Sequence, residues 1–434
     1  MKLIYLAKRY DLVIGDQFEL FYRGVICSMN PYKYYIYVYC EKGNSYPRVF
    51  RYTPKDGEEG DYELTLTLYN DYHEEIETAK TILHVVKPCA PERKLNVLCF
   101  GDSLTFNGVW PYEGYRRFTH EDGEPKGLGF KDSLNFIGKC KKEEIGYEGY
   151  GGWQWRHFDL NEAVSPQSSV WVNVKEHHFD ENDQHSVFSS DGLLWILESI
   201  TPKRLKFKRG SNNFSCLPTI NNHFIHVEGG IHQEDFDIES YEFEQSNPFY
   251  DEELKGPNFS KYALSQGVET IDYIYILLTW NGQYRAYNDD FSHYEPHINS
   301  ILRRIHKDFP NCKVGLIGIQ SPSVTGGISA NYGCHGYYHD VFGEVVSAYN
   351  YSVYLENLAA RDEYKDYVRY IDMKAQFDVE YNMPHASFKV NNRSNITEEL
   401  GTNGVHPTME GYLQIGDVFY RALVSDIKER MKEK

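Results

Sequence analysis

Hydrophobic and polar residues alternate in short runs over the first 87 residues of the chain. The runs are separated by Gly, Pro, Asn and Asp, and they cover residues 18–23, 34–39, 48–52, 62–68 and 81–86. Such alternation is typical of strands that have one face in a core and the other in water. The pattern predicts a small β-sandwich over residues 1–87, immunoglobulin-like in general shape, and a proline-containing linker over residues 88–94. Its role is either ligand binding or shielding of the rest of the chain.

From Leu95 the pattern changes to apolar strands that alternate with amphipathic helices. This order predicts an α/β fold for residues 95–434, in which helices cover both faces of a parallel sheet. Residues 160–245 interrupt the alternation with strand-like runs, so we interpret them as a β-rich insertion that either walls a cleft or mediates oligomerisation. The predicted strands lie at residues 95–100, 273–278, 314–319 and 367–372, and the predicted helices at 298–305, 340–361 and 415–423.

The chain carries 63 acidic against 45 basic residues, a net charge of −18 at pH 7. A surface of this charge repels phosphates and anionic lipids, so the composition predicts a neutral partner, no nucleic acid and no membrane. Tyrosine is frequent, with 37 residues. Exposed tyrosines suit carbohydrate or protein recognition, whereas buried ones only reflect a β-rich chain, because tyrosine favours strands.

The eight cysteines are scattered without a close pair, which predicts neither a zinc site nor a disulfide scaffold. His177, His178 and His185 lie among acidic residues, but so many charges favour a solvated loop over a metal site. We therefore predict no metal and no cofactor. The first residues contain too short an apolar run for a signal peptide. The protein stays inside the cell, leaves it as part of a larger particle, or has lost its leader, so the compartment stays open.

Two short motifs carry the candidate chemistry. Gly101-Asp102-Ser103 follows the apolar run 95–100, and His406-Pro407 precedes the last predicted helix. A serine becomes an effective nucleophile when a histidine takes its proton, so a serine at a strand end and a distant histidine predict acyl transfer. Taken alone, the tripeptide is equally typical of a turn that caps a helix.

Four blocks, at residues 95–107, 149–153, 278–282 and 403–412, occur in the order found in GDSL, or SGNH, hydrolases, which the chain resembles over residues 95–160 and 245–430. The resemblance implies an SGNH-like three-layer fold without a cofactor, in which Ser103 attacks an ester and His406 is the general base. It also implies that an oxyanion hole forms from the backbone N–H groups of Ser103 and Gly152 and from the Asn281 amide. Trp153 and Trp280, which stand within these blocks, are predicted to contact the substrate.

The chain departs from the family pattern in two of these blocks. Thr279 and Gly282 flank the third-block pair Trp280-Asn281, where the family has Gly and Asp, and Asn403 stands where the family has the Asp of its triad. Three alternatives remain for orienting His406. The Asn403 amide or a backbone carbonyl orients it in a Ser-His dyad, Glu398 or Glu399 replaces the missing carboxylate, or Asn403-Gly404 deamidates to Asp.

These features predict a serine esterase that removes a small acyl group, most simply acetyl, from a carbohydrate. A non-catalytic glycan-binding or virion-associated adhesin on a decayed hydrolase fold is one alternative, and a lipase or thioesterase is another. The glycan, the acyl position and the oligomeric state stay open.

Overall fold

The structure, a computed structural model, describes residues 2–161, 247–282, 285–328, 330 and 340–432, and, between residues 162 and 246, the backbone of several strands only. The N-terminal part forms a four-stranded sheet in the order β1-β7-β6-β3 and a three-stranded sheet in the order β2-β5-β4. Its elements are β1 Arg9–Val13, β2 Phe18–Phe21, α1 Tyr22–Val25, a 3-10 turn at Pro31–Lys33, β3 Tyr35–Cys40, β4 Asn44–Ser45, β5 Val49–Tyr52, β6 Gly60–Tyr69 and β7 Glu75–Val86.

A strand lies in each of the five predicted runs, but the strand expected over 18–23 ends at Phe21, and α1 follows it directly. The sequence did not predict β1 or the two-residue strand β4. β1 pairs with β7 in parallel, whereas the other neighbours in these two sheets are antiparallel. The domain boundary itself stays a prediction, because Val13 and Val86, at the ends of β1 and β7, pack in a core that they share with residues beyond 95.

The remainder of the chain is built around a larger, seven-stranded sheet, most of whose strands are parallel. Its order is β10-β11-β8-β20-β21-β22, and β9 pairs with the first half of β8. Its elements, with those outside the sheet, are β8 Leu95–Gly101, α2 Ser103–Phe106, α3 Val109–Thr119, β9 Leu134–Ile137, β10 Cys140–Lys142, β11 Ile145–Gly149, α4 Trp155–Asp159, β18 Tyr250–Asp251, β19 Gly256–Pro257, α5 Phe259–Ser265, β20 Tyr273–Leu277, α6 Glu295–Asp308, β21 Lys313–Ile317, α7 Val341–Ala359, β22 Val368–Ile371, a 3-10 turn at Lys374–Gln376, β23 His385–Lys389, β24 Thr397–Gly401 and α8 Met409–Lys432.

Helices cover both faces of this sheet, as the alternation of strands and helices predicts. Leu98 and Phe100 of β8 share one buried cluster with α6 and α7, whereas Val97 and Cys99 share another with α3 and α8. Successive side chains of a strand point to opposite faces, which explains the division. In α6 the four predicted apolar positions, Ile298, Ile301, Leu302 and Ile305, are all fully buried.

The strand order predicts a crevice beside β8. The chain leaves β8 towards β11 on one side and later returns to pair β20 on the other side. Loops that leave neighbouring strands in opposite directions open a gap at the carboxyl end of the sheet, where ligands gather in open α/β folds. Ser103 lies directly at this point.

Residues 162–246 contain a separate six-stranded antiparallel sheet, in the order β16-β13-β14-β15-β12-β17. Its backbone confirms the β-rich character expected for the insertion. Its strands are β12 Ser169–Val174, β13 Ser186–Ser189, β14 Leu194–Thr201, β15 Arg204–Arg209, β16 Ile225–Glu228 and β17 Ile238–Phe243. The histidine-rich segment 177–185 lies outside the described residues.

Candidate active site

The nucleophile turn is fixed by two residues before Ser103. A Cβ at Gly101 would overlap the Leu277 carbonyl oxygen, so only glycine lets β8 and β20 approach this closely. Asp102 then caps the short helix α2, because its carboxylate accepts a hydrogen bond from Leu104 N at 3.0 Å. Ser103 is the first residue of α2 and is half-buried. Gly101-Asp102-Ser103 can therefore cap a helix and present a nucleophile at the same time.

Asp102 also connects the nucleophile turn to the third block. Its Oδ2 accepts hydrogen bonds from the backbone N–H of Thr279 at 2.8 Å and from the Thr279 hydroxyl at 2.7 Å. Burial raises the pKa of Asp102 to about 6, although these bonds act in the opposite direction. Thr279, one of the departures from the family pattern, thus has a definite contact, which sequence reasoning missed.

His406 reaches the serine. Its Nε2 lies 2.8 Å from Ser103 Oγ, although the two residues are 303 positions apart in the chain. Burial lowers the pKa of His406 from its usual value of 6.5. A neutral imidazole within hydrogen-bond distance of a hydroxyl can accept its proton.

The segment that carries His406 is held through its backbone. Asn403 Oδ1 accepts hydrogen bonds from the N–H groups of Val405 and His406, at 3.0 and 2.9 Å. Gln320, a fully buried residue just beyond β21, donates from Nε2 to the Val405 carbonyl at 2.6 Å. Asn403 therefore shapes the turn, and its place in the triad stays a prediction. The sequence gave no indication that Gln320 contacts this segment, because a glutamine after an apolar strand has no characteristic pattern.

The carboxylates nearest in sequence belong to the hairpin β23–β24. Glu398 and Glu399 are both exposed, and Glu399 accepts a hydrogen bond from Ser387 across the hairpin. These contacts give the second alternative, a replacement carboxylate, no support.

The two remaining donors predicted for the oxyanion lie on loops that leave β11 and β20. Gly152 has a φ of +80°, a conformation that glycine adopts without strain. The Asn281 side chain is buried, and its Nδ2 donates to the Trp153 carbonyl at 3.1 Å. This bond uses one of the two N–H groups of the amide, fixes the amide plane and joins the second block to the third. The oxyanion role of both residues stays a prediction.

Trp153 and Trp280 lie in the core. Each indole is 1% exposed, and Trp153 stacks on Tyr150 with ring centroids 4.4 Å apart. This burial gives no support to the expectation that they contact the substrate, and that role stays a prediction.

In the described part of the chain, no group of three or more His, Cys, Asp or Glu side chains is arranged to hold a metal ion. Among the helices of the described residues, not one is both long and apolar enough to cross a lipid bilayer.

No family model and no curated protein matches this chain. Among solved structures, a peptidoglycan O-acetylesterase is 13% identical to it, with 78% of this chain and 92% of that chain covered and a TM-score of 0.32. Est24, a carbohydrate acetylesterase from Sinorhizobium meliloti, is 11% identical, with 76% and 99% covered and a TM-score of 0.32. A possible lipase from Chitinophaga pinensis is 11% identical, with 38% and 77% covered and a TM-score of 0.24. The structural neighbours of this chain thus include two acetylesterases and a possible lipase.

Proposed function

We propose that this protein is a serine ester hydrolase of the SGNH type that removes a small acyl group, most simply acetyl, from a carbohydrate. The observation that supports it is the 2.8 Å contact between His406 Nε2 and Ser103 Oγ at the carboxyl end of a parallel sheet. Exposed tyrosines such as Tyr46, Tyr72 and Tyr381 favour a carbohydrate as the alcohol part of the ester, because an accessible ring can contact a sugar.

In the proposed reaction, Ser103 Oγ attacks the ester carbonyl while His406 Nε2 takes the hydroxyl proton. The carbonyl oxygen becomes an oxyanion that accepts hydrogen bonds from the N–H groups of Ser103 and Gly152 and from the Asn281 amide, each contributing about 3–4 kcal/mol. The C–O bond to the sugar then breaks, and His406 returns the proton to the leaving alcohol. Water, deprotonated by His406, hydrolyses the acyl-enzyme and restores Ser103.

The proposal is tested by acetate release from a panel of acetylated polysaccharides, with Ser103→Ala as the blank. Parallel assays with p-nitrophenyl acetate and octanoate separate the alternatives, because a lipase or thioesterase prefers the longer chain. Equal rates for the intact protein and the Ser103→Ala variant would favour the non-catalytic adhesin instead.

The Thr279 hydroxyl is expected to matter for turnover. Thr279→Val removes the bond to Asp102 Oδ2, which precedes Ser103 in the nucleophile turn. Because a small displacement of a reacting group can cost up to about a hundredfold in rate, we expect kcat to fall about ten- to a hundredfold with KM little changed. Thr279→Ser keeps the hydroxyl and serves as the matched control. Steady-state kinetics with p-nitrophenyl acetate would contradict this role if the valine and serine variants had the same kcat.

The acid limb of the pH profile of kcat/KM is expected to have its midpoint below 6.5. The His406 ring accepts a proton from Ser103 only while it is neutral, and burial lowers its pKa, so activity is lost as the pH falls through that lowered value. Asp102, whose pKa is about 6, titrates in the same range. The limb should persist in Asp102→Asn, which assigns it to His406, and a midpoint above 6.5 would be inconsistent with the buried base.

A further inference from the structure

A row of three exposed tyrosines runs along β3, at the edge of the four-stranded N-terminal sheet. We call Tyr35, Tyr37 and Tyr39 the tyrosine strip. Their exposed fractions are 53%, 56% and 59%. The residues between them, Ile36 and Val38, pack against the N-terminal core and hold the strand in this register. The strip is therefore a fixed feature of one sheet face.

The strip has the geometry of a linear platform. Alternate residues of a strand are about 7 Å apart, so three rings extend over about 14 Å in one direction. At one end, the His73 ring stacks on Tyr35 with centroids 4.8 Å apart, which restrains the first tyrosine. A straight row of equally spaced rings fits an extended polymer better than it fits a globular partner.

The surface beside the strip is polar. Tyr37 and Tyr39 stand opposite Thr67 and Thr65 of β6. The Thr67 hydroxyl lies 2.9 Å from that of Thr78 on β7, the next strand. The Lys80 ammonium on β7 is paired with Glu63 at 2.8 Å. Thr67 is buried, and the Thr78 hydroxyl donates to the Glu75 carboxylate at 2.9 Å. The strip thus presents apolar ring faces next to polar groups, and a carboxylate beside it disfavours an anionic ligand.

Elsewhere the same sheet face is covered by the C-terminal helix. Arg9 of β1 lies on that face and donates hydrogen bonds to Glu429 and Ser425 of α8. On this face, the edge of the sheet at β1 is therefore covered by α8, whereas the edge at β3, which carries the tyrosine strip, is exposed.

We propose that the tyrosine strip binds a neutral polysaccharide chain, whose sugar rings stack on Tyr35, Tyr37 and Tyr39. Pyranose rings present C–H faces to an aromatic ring and hydroxyl groups around their edges, and tyrosine offers an apolar face with a polar end. The net charge of −18 disfavours a polyanion on the same surface. This binding site is separate from Ser103 and does not depend on the proposed esterase activity.

The test uses the full-length Ser103→Ala protein, so that turnover cannot remove the ligand. Affinity electrophoresis in acetylated glucomannan and acetylated xylan compares this protein with the same chain carrying Tyr35→Thr, Tyr37→Thr and Tyr39→Thr, since threonine also favours strands. Tyr46→Thr is the matched control, because Tyr46 is a 45% exposed tyrosine of the N-terminal part that lies outside this sheet. Circular dichroism and the thermal midpoint check that each variant is folded.

We expect the triple substitution to weaken binding at least tenfold and Tyr46→Thr to change it less than twofold. Equal affinity of the triple variant and the control, or no binding of the parent to either polysaccharide, would overturn the proposal. So would a parent dimer that the triple substitution converts to a monomer in sedimentation, because a second copy would then occupy the strip. Hydrolysis of p-nitrophenyl acetate by the protein with Ser103 intact is measured separately, so a failure of the esterase proposal is distinguishable from a failure of this one.

Discussion

Ser103→Ala and His406→Ala are each expected to lower kcat for p-nitrophenyl acetate by about 10⁴- to 10⁶-fold, and the double variant no further. The reason is that the hydroxyl and the imidazole, 2.8 Å apart, act as one unit in the proposed mechanism, so that either loss abolishes nucleophilic attack. The measurement is kcat and KM for the three variants, with KM expected to change little.

His306→Ala is the control for this series, because His306 is exposed on α6 and stacks on Tyr367 rather than near Ser103. It should retain full activity. Additive losses in the double variant would contradict a shared role of Ser103 and His406, since independent residues contribute separately.

The pairing of Ser103 with His406 illustrates what could be predicted from the sequence. Ser103 follows the end of a predicted strand, and His406 precedes the start of a predicted helix. Parallel strands bring such loops to one edge of the sheet. The expected loop position of His406 before the last helix is confirmed, because α8 begins at Met409. Local patterns predicted where each residue lies relative to its neighbouring element, whereas the pairing of the two residues rested on the order of the four blocks that resemble GDSL hydrolases.

The contacts around the pair could not be predicted in the same way. The side chains of Thr279 and Gln320 donate hydrogen bonds to residues more than 80 positions away in the chain, and such bonds leave no periodic trace in the sequence. The burial of Trp153 and Trp280 was missed for a related reason. A tryptophan beside a family motif looks the same in sequence whether it faces the ligand or supports the loop from behind.

The N-terminal part and the rest of the chain are joined by buried charges, which sequence patterns did not indicate either. Asp16, between β1 and β2, lies against Arg117 of α3 and Arg421 of α8. Asp11 of β1 is paired with Arg369 of β22. Because these charges meet away from water, the two parts should unfold together.

Asp16→Ala is expected to lower the free energy of unfolding by about 3 kcal/mol, because it removes the carboxylate that two buried guanidinium groups share and leaves Asp417, at 2.6 Å from Arg117, as the remaining carboxylate beside them. Arg117 and Arg421 are 2% and 4% exposed, and they donate to the Asp16 carboxylate at 2.5 and 2.9 Å. The measurement is the urea midpoint and slope of the main unfolding transition at neutral pH, followed by tryptophan fluorescence.

The matched control is Asp56→Ala, which removes an ion pair with Lys87 in which both side chains are more than half exposed. Such a surface pair contributes at most about 1 kcal/mol, so a loss of similar size in Asp16→Ala would show that the buried cluster does not join the two parts.

The effect of Asp16→Ala on stability should also depend on pH. Burial by itself raises the pKa of Asp16, but Arg117 and Arg421 bring it below its ordinary value of 3.8. A lowered pKa stabilises the folded protein above that value and loses this effect as the pH falls through the lowered pKa, so the intact protein and Asp16→Ala should converge in stability only in acid.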